Sequence, residues 1–102
     1  MKSKRAKSTD ITTKTKQVVF KRDGGVCIIC HQVGKPNAHY ISRAKGGLGI
    51  EQNVVTLCQI CHHEYDNGKG TREQYKEMIK DYLGSIYDNW NEEELVYRKW
   101  TF

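Results

Sequence analysis

The 102-residue sequence has a single proline, so no rigid proline-rich linker divides it, and it carries no internal repeat or low-complexity tract that would signal a solenoid or a disordered array. No apolar run approaches the roughly eighteen residues that a membrane span needs. The start, 1-MKSKRAKSTDITTKTK-16, is basic but leads into no apolar stretch, which excludes a secretory signal and points to an intracellular, cytoplasmic protein with no membrane association. Hydrophobic residues are also scarce, at 37% against 28% charged. One small, thinly cored domain of this length needs a staple beyond its apolar packing.

Charge is unevenly spread. Residues 1–22 hold eight Lys and Arg against one acidic residue, Asp10, whereas the remaining eighty residues hold nine basic and eleven acidic groups. The whole excess of +5 therefore lies at the N-terminal end. Such an arm suits contact with a polyanion through release of condensed counterions, and equally suits a solubilising tail.

Periodicity places the elements. Residues 13–22 read as a short helix with Val18, Val19 and Phe20 turned to a core, ended by 23-DGG-25. Residues 26–35 form a tight turn between short apolar runs. Residues 38–42 and 54–57 read as strands joined by the glycine-rich loop 46-GGLGIEQN-53, and a helix starts at Cys61 and stops near 67-NG-68. Thr71 with Gln74 has the form of a capping box, followed by Tyr75, Met78, Ile79, Tyr82 and Leu83 on one helical face that ends before Gly84. Asn91 with Glu94 repeats the device, with Trp90 and Leu95 at staple positions. The spacing assigns these aromatics to the core.

Cys27-x-x-Cys30 and Cys58-x-x-Cys61 can each offer two thiolates to adjacent corners of a tetrahedron, and together they close a four-thiolate site with no open position. A redox dithiol needs one Cys-x-x-Cys motif rather than two, so a structural zinc is the expected occupant. His31 follows Cys30 directly and is read as solvated or as stabilising the first Cys-x-x-Cys turn. His39, His62 and His63 are then nitrogen donors that such a site does not use.

The order His39, Gly46-Gly47, Asn53, Leu57-Cys58-x-x-Cys61-His62, preceded by Arg22-Asp23, resembles the HNH endonucleases, the ββα-metal nucleases common in bacteriophages and restriction systems; it covers residues 17–67. The resemblance implies His39 as general base, Asn53 as the residue that holds the loop between the strands and thereby orients it, and His62 as ligand of a catalytic Mg²⁺, Mn²⁺ or another divalent ion. Asp66, four residues after His62 on one helical face, is a second ligand, and His63 an alternative one. Arg43 and Lys45 are placed to clamp phosphate, with Lys4, Arg5, Lys14 and Lys16 as further DNA contacts. The family often has Asp or His before the general base. Here that position is Ala38.

The expectation is therefore an α+β protein: a zinc-stapled ββα core over 13–70, a flexible basic arm over 1–12, and two C-terminal helices over 71–102. The function implied is nicking of duplex DNA, with a homodimer or a phage DNA-packaging partner, in a bacterial or phage-infected cell. The alternatives are an inactive zinc-knuckle DNA-binding module, or a structural zinc protein that binds another protein through its C-terminal helices.

Overall fold

The computed structural model describes residues 3–98. Its architecture is α+β: helices α1 (Lys4–Thr9) and α2 (Thr13–Asp23), strands β1 (Lys35–His39) and β2 (Val54–Leu57), then helices α3 (Gln59–Asn67) and α4 (Thr71–Ile86). One-turn 3₁₀ helices occupy Arg43–Lys45, Glu51–Asn53 and Glu92–Leu95. None of the helices among the described residues is long and apolar enough to cross a membrane.

Helix α2 begins where the Thr12 hydroxyl accepts the Thr15 N–H and ends at Gly24, whose φ of 72° favours a residue without a Cβ. Of its three expected core residues only Val19 is buried. Val18 and Phe20 are 40% and 48% exposed, because a lone amphipathic turn can present one row to a small sheet and not three adjacent positions. The expected flexible arm instead contains α1, capped by Ser3 and seated on the core: the Gly49 N–H donates to the Ser8 carbonyl at 2.9 Å, and Arg5 Nη2 donates to the Ala44 carbonyl at 2.8 Å. Residues 1–2 of the arm and 99–102 of the C-terminal extension lie outside the described residues.

The two strands pair antiparallel, with Ala38 opposite Val55 and His39 opposite Val54, and the register shifts between Lys35 and Ala38. The first strand thus lies upstream of the expected 38–42. Its far end turns at Tyr40, and the chain is returned by a clasp built on Asn53. That side chain, wholly buried, accepts the Ile41 N–H at 2.9 Å and donates to the carbonyls of Ile41 at 3.1 Å and Leu48 at 2.8 Å. Gly47 is required in the same loop, since a Cβ there would stand 1.7 Å from the Ile41 carbonyl oxygen.

Helix α3 starts two residues before the expected Cys61 because the sulfur of Cys58 caps it, accepting the Cys61 N–H at 3.3 Å. Helix α4 is preceded by Gly70 and has no side-chain cap; the Thr71 hydroxyl is engaged instead by Glu64 at 3.1 Å. It continues through Gly84 to Ile86, since one helical glycine costs only about 1 kcal/mol, less than the burial of Leu83 stabilises. Past it the expected second helix is the single turn Glu92–Leu95, where the Asn91 side chain accepts from the Glu93 N–H and the Asn91 carbonyl from the Glu94 N–H. Ile79, Leu83 and Leu95 fill the core with Tyr75, Tyr82 and Trp90 packed at its margin; Met78 stays 45% exposed.

A polar knot joins the layers. Arg22 pairs with Asp23 at 2.7 Å and donates to the carbonyls of Glu51 and Val54, while Asp23 accepts from the Thr56 N–H at 2.8 Å and the Tyr82 hydroxyl at 2.6 Å. Helices α2 and α4 are thereby tied to β2.

Asn53→Ala leaves three backbone groups of the loop unpaired and is expected to destabilise the folded chain by roughly 2–4 kcal/mol. Denaturant unfolding of the variant against the native chain measures this, and a loss under about 1 kcal/mol contradicts the clasp.

Candidate metal centre

The four cysteines come from two turns of similar build. In the first, the Cys27 N–H donates to the Gln32 carbonyl at 2.7 Å and the His31 N–H to the Cys27 carbonyl at 2.9 Å, with His31 in the left-handed region at φ 66°. In the second, the Cys58 carbonyl accepts the His62 N–H at 2.9 Å. The strand pair and a bond from the Ile28 N–H to the Thr56 carbonyl, at 3.1 Å, bring the turns face to face.

The sulfurs of Cys27, Cys30, Cys58 and Cys61 all lie within 4.8 Å of one another, with Cys30 and Cys58 at 3.5 Å. Metal–thiolate bonds of about 2.3 Å place tetrahedral corners about 3.8 Å apart, so the set has the span of one metal ion. A sulfide-bridged cluster, with several metals inside its ring of thiolates, needs a wider spread. Each turn also aims an N–H at its first sulfur: Cys30 N at Cys27 Sγ, 3.5 Å, and Cys61 N at Cys58 Sγ, 3.3 Å. Burial pushes the Cys27 thiol up, but backbone donors at Cys30, Cys58 and Ile29 outweigh it and bring it down to about 7. Burial pushes the Cys61 thiol up. The four cysteines therefore form a cluster that can hold a metal, three of them buried and Cys30 exposed.

Five of the other expected site residues share one cleft and the rest lie apart from it. A cleft of about 550 Å³ is lined by His39, His62 and Asp66 together with Asp10, Lys16 and Arg43. His62 Nε2 stands 3.4 Å from Asp66 Oδ2, the i,i+4 relation expected of them. His63 is exposed and faces Asn67, Lys45 and Lys14 line separate depressions, Lys4 is exposed, and Arg43 pairs with Asp10. Among the described residues the ligand atoms of His39, His62 and Asp66 do not converge as the four sulfurs do. A second, catalytic divalent ion is unsupported. Asn53 is buried and bonds to the loop between the strands.

His39 contacts the Thr9 carbonyl through Nε2 at 2.8 Å. A carbonyl only accepts, so Nε2 carries the hydrogen and the lone pair of the neutral ring lies on Nδ1. Sequence reasoning missed this contact because it is made by a backbone carbonyl of a helix that the charge pattern presented as a loose arm. The Ser3 cap was the available signal for that helix.

The chain is similar to Anaredoxin from Nostoc sp. (strain PCC 7120 / SAG 25.82 / UTEX 2576), being 34% identical over 58 residues that cover 55% of this chain and 76% of that protein. No family model matches the sequence, and no solved structure matches it. The similarity to a redoxin overturns the expected HNH endonuclease identity. With it go the DNA-hydrolase activity, the inactive DNA-binding variant, and the nuclease and bacteriophage associations. Three of the residues that suggested them have roles in the fold: Asn53 clasps the loop between the strands, Gly47 admits a carbonyl, and His39 holds α1.

Burial, then the nearby charges of Arg43 and His62, hold His39 below its ordinary value, against the opposing pull of Thr9 and Asp10. The unfolded chain consequently binds the extra proton first. This contribution to stability is whole above the unfolded value of about 6.5 and is lost as pH falls through the lower folded value. The stability difference between the native chain and His39→Gln, which can still donate to Thr9, is expected to shrink from about pH 7 to pH 5. A difference that stays constant over that range contradicts the account.

Proposed function

The chain belongs to the family of Anaredoxin, and from that premise we propose that it is a small electron carrier whose Cys27, Cys30, Cys58 and Cys61 thiolates hold one iron ion. The observation that carries the reading is the span of the four sulfurs, within 4.8 Å of one another, which suits a single ion better than a bridged cluster. The redoxin name of the relative supports iron over the zinc that spacing alone suggests. When bound, iron supplies a one-electron couple between its ferrous and ferric states.

The chain's own residues set the conditions for that couple. Three buried cysteines keep water from most of the site, and the exposed Cys30 leaves one thiolate at the surface, where an electron can enter without crossing protein. The N–H groups of Cys30 and Cys61, aimed at Cys27 and Cys58, favour the state with more negative charge on sulfur and so raise the potential. The Arg22–Asp23 knot fixes Thr56, whose carbonyl holds the first turn against β2. Little of the scaffold needs to move when the charge changes by one.

The test is metal analysis of protein produced with both iron and zinc supplied and purified without oxygen, followed by a mediated redox titration. About one iron per chain and a reversible one-electron transition, both lost in Cys58→Ala, are expected. A chain that carries only zinc, and that takes up no iron on anaerobic reconstitution, contradicts the proposal.

A further inference from the structure

Cys30 differs from its three neighbours in being exposed, and its sulfur lies 3.5 Å from that of Cys58, which belongs to the other turn. An S–S bond is about 2.05 Å long, so the two sulfurs need to approach by only about 1.5 Å to be joined. We propose that Cys30 is a peroxide-sensitive modification site and Cys58 its resolving partner, so that oxidation removes two of the four ligands and releases the metal. The inference rests on the four-thiolate reading but not on which metal is held.

The step balances. The Cys30 thiolate attacks one oxygen of hydrogen peroxide, the O–O bond breaks, hydroxide leaves, and sulfur is oxidised by two electrons to the sulfenic acid. The Cys58 thiolate then attacks Cys30 sulfur; the S–S bond forms, the S–O bond breaks, hydroxide departs, and it and the hydroxide of the first step take protons from solvent to become water. The peroxide is the oxidant and is reduced to water. The buried Cys27 and Cys61 are shielded from the first attack by the same packing that excludes water from them.

The geometry also makes the change reversible. Residues 30 and 58 flank the strand pair, so a bond between them holds the two turns together after the metal has left. A bond within one turn would not do this. The folded chain is thus kept ready to be reduced and refilled.

The experiment uses full-length protein loaded with zinc, which takes no part in electron transfer, and stepwise hydrogen peroxide. Zinc release is followed with a chromogenic chelator, and disulfides are mapped by mass spectrometry of non-reduced peptides. One zinc released per chain, with Cys30 and Cys58 peptides joined, and refilling after dithiothreitol, is the expected result. Cys30→Ser is expected to release zinc roughly ten-fold more slowly; because that variant can bind zinc poorly, the peptide map of the native chain decides independently. Zinc retained under excess peroxide, or Cys27–Cys30 and Cys58–Cys61 bonds in place of the joined turns, overturns this inference while leaving the four-thiolate centre standing. A chain that takes up neither zinc nor iron overturns both.

Discussion

Four thiols held within 4.8 Å of one another are the constraint on which the rest of this chain depends. Thiolates at that spacing repel one another unless a cation lies among them, and a chain of this length has little apolar burial to set against the repulsion. The surrounding elements follow from that need. Strand β2 exists between Asn53 and Cys58 because it carries the second turn to the first, and α3 starts at Gln59 because Cys58 serves both as ligand candidate and as helix cap. A side chain that does both places the helix axis and the metal centre with one set of atoms.

Polar groups do much of the remaining work. The carboxylate of Asp23 is buried with Arg22 against it, and each spends its remaining capacity on backbone or tyrosine partners in another element. A buried ion pair satisfied this fully adds specificity of arrangement more than stability. Asn53 does the same for the long loop. These knots, rather than a large apolar interior, decide how β2 meets α2 and α4, and therefore where the first cysteine turn sits.

Much of this was legible in the sequence, and what was not has physical causes. The two Cys-x-x-Cys spacings fix local geometry, so the four-cysteine cluster could be read from order alone, and the β2 and α4 regions announced themselves by burial pattern. Helix α1 was signalled only by its Ser3 cap: much of its hold on the rest of the chain runs through the carbonyls of Ser8 and Thr9, which any sequence possesses. The function was misread for a related reason. Histidine, asparagine and paired glycines in a fixed order match a nuclease pattern, yet here Asn53 and Gly47 are what a tight loop between two strands requires, and Nε2 of His39 is bound to backbone. Residue order constrains which groups meet, but the partner each one takes decides what chemistry is left to it.

The measurement that tests the central claim most directly is X-ray absorption at the iron edge of the anaerobically loaded protein. One iron with four sulfur neighbours at about 2.3 Å, and no scattering from a second metal, is the result the account predicts. Nitrogen or oxygen in the first shell, or a metal–metal path, would contradict a single ion held by Cys27, Cys30, Cys58 and Cys61.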